Sequence, residues 1–202
     1  MVHREEAIRN VKAAVDEYVA AIRMLLEKLN LKNAAEAEDV CKTELALFLL
    51  YLAASDGEVK WSEGEVIAKV CDFPVTPYNM NALVQKALDG NYGHKLPETF
   101  KFLTYIENTL YEKGVRIDLA SSVMSAYRMA GQMLILGDYE ADAGEERDLN
   151  DFLQRMEDYA DENAASRKYG FVAENYTPLK GDSGAQGDRE PSPVSVAAPK
   201  KG

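Results

Sequence analysis

Histidine and cysteine are scarce in this chain, with two of each among 202 residues. His3 and His94 have no E-x-x-H context, so a di-iron carboxylate bundle lacks its ligands. Cys41 and Cys71 have no Cys or His neighbour at zinc-ligand spacing. Neither cysteine has the basic or helix-opening setting of a nucleophile, so both are expected to be reduced, buried packing groups. His94, beside Gly93, is expected to be a solvated loop residue. The G-x-S-x-G, P-loop and dinucleotide fingerprints are missing as well. No catalytic apparatus is visible, and the chain is read as a non-enzyme.

Basic charge is also in short supply. Lys and Arg number 23 against 34 Asp and Glu, for a formal net charge of −11. Nucleic-acid binding needs clustered cationic side chains on the phosphates and is not expected. Cations or basic protein surfaces are the partners that such a body suits, and solubility alone is the other reading of the charge. The longest apolar stretch, residues 45–54, is about half of the roughly 20 residues needed to span a bilayer, so no membrane span is expected. Met1 leads directly into His3, Arg4, Glu5 and Glu6, which is not a signal-peptide pattern, and a cytoplasmic location is expected.

Proline is absent from residues 1–73, and only Pro74, Pro77 and Pro97 occur before residue 178. Sustained period-two alternation is missing too. Together these point to an all-α fold of about seven helices in a compact bundle. The first helix, over 4–30, carries Ile8, Val11, Val15, Tyr18, Ile22, Leu25 and Leu29 at alternating spacings of three and four, a heptad seam. Its flanks hold Ala14, Val19, Ala21 and Leu26 rather than charges, so the apolar face is wide, although a homodimer through this seam is an alternative. The second helix, over 36–54, is apolar all round from Leu45 to Leu52 and should be central. Ser62 and Glu65 form an S-x-x-E capping box for the third, which Pro74 stops. Thr76 and Pro77 open a fourth that Gly90 closes. The fifth runs over 97–113, Asp118 caps the sixth, and the seventh covers 145–161. The tyrosines of the later helices, Tyr127 among them, are expected to be half-buried with wet hydroxyls. Residues 1–35 are read as a long helix packed on a core of residues 36–165. Residues 177–202 hold four prolines and almost no large apolar group, so they form an expected disordered tail.

Within this order an acidic loop occurs twice. Residues 55–65 read SDGEVKWSEGE and residues 137–147 read GDYEADAGEER. Aligning Asp56 with Asp138 places Glu58 on Glu140, Glu63 on Glu145, Ile67 on Leu149 and Val70 on Phe152. Two helix–acidic loop–helix units imply a pseudo-twofold pair. Calcium or magnesium prefers oxygen ligands, and the loops offer Asp56, Glu58 and Glu63, then Asp138, Glu140, Asp142 and Glu145. Gly57 permits the backbone reversal of the first loop. Neither loop is an EF-hand: counted from Asp56 or Asp138, position twelve is Ile67 or Leu149 rather than a bidentate Glu. The same carboxylates also suit helix N-termini, where they oppose the positive end of the dipole without any ligand. Trp61 either pins its loop to the body or belongs to a partner surface.

The stretch from Leu47 through Val70, with its ASDGEVKWSEGE core, resembles the tellurite-resistance TerB-like domain. Its first motif is an apolar helix followed by A-D-G, a short turn and an acidic helix start. The second loop keeps Asp138 and Glu145, while Tyr139 stands in place of the glycine. The resemblance implies an all-helical fold of duplicated units over residues 36–161, divalent-cation binding through acidic residues, and a stress or metal-response role. It also implies a cytoplasmic protein that partners a membrane-associated complex. A related domain occurs in membrane-anchored J-domain co-chaperones, but the HPD tripeptide of that activity is missing here. The alternative expectation is a helical adaptor or scaffold that binds another protein, with the acidic loops serving only as caps.

Overall fold

Eight helices occupy the described residues of the structure, a computed structural model that describes residues 2–31, 36–55, 57, 59–137 and 143–169. In chain order they are α1 (Val2–Lys28), α2 (Ala37–Ala53), α3 (Trp61–Cys71), α4 (Met80–Asp89), α5 (Glu98–Glu112), α6 (Leu119–Gly137), α7 (Ala143–Asn163) and α8 (Ala165–Tyr169). No strand occurs among the described residues. The expected tail, residues 177–202, lies outside them.

The repeat has a structural counterpart. The sequence offset that separates Asp56 from Asp138 also separates the first residues of α2 and α6, and those of α3 and α7. Helix α2 packs on α3, α6 packs on α7, and each opening helix also touches the other unit's second helix. The units meet where α2 and α6 cross. Leu45 to Leu50 and Leu52 are all buried, as the absence of a polar face on α2 requires. Where the units join, Phe48 of α2 stacks on Phe152 of α7 at 4.0 Å between centroids, and Tyr127 of α6 closes the cluster. Tyr127 departs from expectation: its ring is buried, and its hydroxyl has no hydrogen-bond partner among the described residues. Gly131 of α6 lets α7 come close, because a Cβ there would lie 2.6 Å from Leu149 Cδ1.

The heptad seam of α1 faces inward. Ile8, Val15, Ile22 and Leu25 are buried where α1 lies on α6, α3 and α2. Val11, Tyr18 and Leu29 of the seam are partly buried and pack against the same core. Charged residues secure the helix on its flank. Lys12 and Lys42 reach Asp72 Oδ2 at 2.6 and 2.8 Å and Asp16 at 3.0 and 2.8 Å, so one network ties α1, α2 and the end of α3. Asp72 is also the residue at which the chain leaves α3 in a left-handed conformation, φ 51°. Hydrogen bonds from Lys12 and then Lys42 hold its carboxyl below the usual range. Burial works to raise Asp16, but the two ammonium groups outweigh it and the net shift is downward.

A carboxyl lowered in the folded state contributes stability above its unfolded pKa and loses it as pH falls through the folded one. Wild-type stability should therefore drop as pH falls below the ordinary Asp value of 3.8. Asp72→Asn is expected to be less stable at neutral pH and to show a shallower acid loss. Urea titrations across that window check this, and parallel pH profiles would remove the network's role.

Two further expectations are corrected. The third helix is not capped by Ser62 and Glu65. It starts at Trp61, and Glu63 at its third position accepts the Lys60 backbone N–H at 2.6 Å. Glu65 instead pairs with Arg4 at 3.3 Å and Lys69 at 2.9 Å. The fourth helix does not open at Thr76 and Pro77. Thr76 and Asn79 exchange side-chain-to-backbone hydrogen bonds that hold a turn, and α4 begins only at Met80. Helix α8 carries no signal in the sequence, because its five residues are too short to show a period. Other expectations hold: Asp118 Oδ1 accepts the Ser121 N–H at 2.8 Å, and Gly57 has a φ of 89°.

Candidate functional site

Of the seven carboxylates assigned to a cation, Asp56, Glu58, Asp138, Glu140 and Asp142 lie outside the described residues. Glu63 and Glu145 are described, and both hold the third position of their helix, α3 and α7. Each is only 3% exposed. Apolar neighbours in the sequence explain the burial. Val66, Ile67 and Val70 sink one face of α3 into the core, Leu149, Phe152 and Leu153 do the same for α7, and the glutamate of each first turn lies on that face. Their placement fits helix capping well, since a carboxylate there meets backbone N–H groups and the positive end of the dipole. For Glu63 one oxygen is already occupied by Lys60 N–H. Among the described residues no group of three or more His, Cys, Asp or Glu is arranged to hold a metal.

Trp61 lies beside this cap. Its ring covers Gly64, where an added Cβ would sit 3.2 Å from the indole, yet the side chain stays 43% exposed. His94 is exposed but not merely solvated. It exchanges a 2.8 Å hydrogen bond with the Tyr51 hydroxyl, and the Tyr51 ring packs against Gly93. Arg155 donates to the Gly93 carbonyl, so this junction ties α2, the loop before α5 and α7. The cysteines are buried and free, and burial foremost pushes both thiols up to about 12. Such thiols carry negligible thiolate at neutral pH and are inert as nucleophiles.

A concave feature lies elsewhere, away from these residues. A groove of about 810 Å³ runs between α1 and α6. It exists because small side chains face each other there: Ala14 and Ala21 on α1, Ser122 and Ser125 on α6. Both sets recur at helical spacing, so the furrow runs along the helices. Ile22 and Leu103 form part of its lining, Met24 and Met129 border it, and Glu17 and Asp118 add carboxylates. A smaller cavity of about 230 Å³ shares Ile22 and Leu103 and continues toward Val40 and Phe102. Met24, Val40 and Phe102 are 52%, 46% and 43% exposed, so this face carries large apolar side chains in the open. Large apolar side chains left open beside a concave surface are a common feature of binding sites.

Part of this groove is already present in the sequence pattern of α1. The wide apolar face of α1 includes Ala14 and Ala21, which line the furrow instead of filling the core. The matching small residues of α6 carry no signal until the two helices are side by side. Comparison with protein-family models, with curated proteins and with solved structures finds no match, so the likeness to TerB-like domains rests on the residues of the first loop.

Proposed function

We propose that this chain is a non-catalytic helical adaptor whose α1–α6 groove receives a basic amphipathic helix from a partner protein. The observation that carries this reading is the 810 Å³ furrow walled by two rows of small residues. Apolar helices dock into such furrows through residues at i, i+3, i+4 and i+7. The partner's sign is set by charge. Glu17 and Asp118 outnumber Lys28 at the groove, and the whole chain carries −11, so a basic helix is attracted and an acidic one repelled. The acidic loops in this reading are caps, as Glu63 supports by accepting Lys60 N–H.

A synthetic Leu/Lys amphipathic peptide serves as the probe. Calorimetry is expected to give saturable one-to-one binding with a negative heat-capacity change, the mark of apolar burial. Ala21→Gln with Ser125→Gln places neutral polar bulk in the furrow at two exposed sites. That variant should keep its melting temperature and lose about tenfold or more in affinity, roughly 1.4 kcal/mol. Equal binding by both proteins would mean that charge alone attracts the peptide and would end the groove reading.

The cation reading retains one supporting observation, the matched burial of Glu63 and Glu145 at equivalent helix positions. The two glutamates would supply oxygens from the helix starts, with the remaining donors drawn from the loop carboxylates. A native-state ligand at a hundred times its Kd stabilises by about 2.7 kcal/mol. Millimolar calcium or magnesium should then raise the melting temperature of the wild type, and Asp56→Asn with Asp138→Asn should abolish the rise. An unchanged wild-type melt in either ion leaves the loops as caps.

A further inference from the structure

A second cleft, of about 600 Å³, lies between α6, α7 and α8. It shares Ser121 and Ser125 with the apolar groove, but its other walls are polar. The α6 wall is Ser121, Met124, Ser125 and Arg128, and the α7 wall is Asn150, Leu153, Gln154 and Glu157. Each set has the i, i+3, i+4, i+7 spacing of a single helix face. Met124 and Leu153 are buried and close the cleft toward the core. Arg167 enters from α8, which the buried Glu107 holds by accepting Ser166 N–H. Its guanidinium meets Glu157 Oε1 at 3.1 Å and Ser121 Oγ at 2.9 Å, so it bridges α7 and α6. Two of the five N–H donors of that guanidinium are engaged in this way, and three remain. Arg128 is exposed, and its guanidinium has no ion-pair or hydrogen-bond partner among the described residues. Glu157 is the one carboxylate among the lining residues, and Arg167 matches its charge. Arg128 is thus a positive charge left over, on a chain of −11.

We propose that this cleft binds a small phosphate monoester, with the phosphate held between Arg128 and Arg167. Reach permits it. Arg167 is anchored at Ser121, and Arg128 lies two turns further along α6, about 10 Å at 1.5 Å per residue. Helix side chains lean toward the N-terminus, so Arg128 is directed back over Ser125, midway between the two. Chemistry selects the anion. Guanidinium groups from two helices offer donors to separate oxygens of a tetrahedral phosphate, whereas a flat carboxylate is served by one arginine fork. The Ser121 and Ser125 hydroxyls and the Asn150 amide add neutral donors around the same space. The volume falls within the roughly 300–1,000 Å³ of small-molecule sites, so the body of the ester has room above Met124 and Leu153. The site requires nothing of the α1–α6 groove and stands or falls separately from the adaptor reading.

The test follows the arginine Nε–H resonances of the full chain, labelled with nitrogen-15, as glycerol phosphate is added at constant ionic strength. Saturable shifts of Arg128 and Arg167 are expected. Arg128→Gln removes an exposed, unpaired side chain, so it should keep the melting temperature and weaken binding about tenfold or more. Arg9→Gln removes an equally exposed charge from α1 and should change affinity by less than about twofold. Equal weakening by the two variants would reduce the effect to general charge attraction and overturn the site. So would the absence of saturable shifts, or equal shifts with acetate in place of the ester. Saturable binding of a phosphoserine peptide without binding of glycerol phosphate would assign the cleft to a protein partner and overturn the small-molecule proposal.

Discussion

Replacing Glu107 by alanine is expected to destabilise the protein by about 3–5 kcal/mol, a large part of the roughly 5–15 kcal/mol that holds a domain folded. Glu107 is a carboxylate with no solvent exposure. From α5 its Oε2 accepts the Leu119 and Ala120 N–H groups at 2.9 and 3.2 Å, and its Oε1 accepts Ser166 N–H at 3.0 Å. One side chain thus satisfies donors at the starts of both α6 and α8, where the helix dipoles also favour negative charge. Asn108 completes the arrangement by accepting Ala165 N–H and donating to the Asn163 carbonyl, each at 2.8 Å. Alanine would leave three buried donors without acceptors, at about 1–3 kcal/mol each before relaxation. Urea unfolding with an unchanged m-value reads the loss, and faster hydrogen exchange at Leu119, Ala120 and Ser166 localises it. A cost below about 1 kcal/mol would mean that water replaces the carboxylate freely. The consequence reaches the groove, because the same carboxylate sets where α6 begins and where the chain departs after α8.

Phe48→Ala should cost a similar amount, about 3–5 kcal/mol, for a different reason. The ring lies between Phe152, stacked at 4.0 Å and 26°, and Tyr127, tilted at 5.4 Å and 50°. Tyr127 and Phe152 are themselves 5.7 Å apart, so three rings from α2, α6 and α7 form one cluster. Removing the central one forfeits its transfer free energy and opens a cavity that three rigid helices cannot close. The effect should couple to Phe152→Ala. In a double-mutant cycle the two losses should fall short of additive by about 0.5–1.5 kcal/mol, the usual worth of an aromatic pair beyond its burial. Strict additivity would show that the two rings contribute only as separate volumes. Tyr127→Phe in the same background removes a buried hydroxyl that lacks a partner among the described residues, so it should not add to the cost.

How legible the molecule is depends on the range of the interaction. The absence of proline before Pro74 and the all-round apolar run of α2 are local patterns, and both lead to the observed helices. The loop repeat is likewise a matter of spacing, and α2 with α3 and α6 with α7 keep it in register. Capping by Asp118 needs only three residues. The capping box at Ser62 and Glu65 fails because the motif alone does not set the helix register. Arg4 and Lys69 draw Glu65 to the surface while the core draws Glu63 inward. Tyr127 escapes a local reading because a ring at the junction of two units is covered from both sides.

The candidate site divides the same way. Acidic residues at matched spacing announce themselves in the sequence, while the burial of Glu63 and Glu145 does not. Ala14, Ala21, Ser122 and Ser125 are individually unremarkable, and a groove made of what small side chains leave empty has no one-dimensional signature. Glu107 is equally silent, since its partners lie up to 59 residues away. The amino-acid sequence by itself determined seven of the helices and their doubled order, because periodicity and turn chemistry act over a few residues. Only the tertiary structure decided which carboxylates are buried, which cysteines are inert and where the surface stays open, because each depends on segments distant in the chain meeting to exclude water.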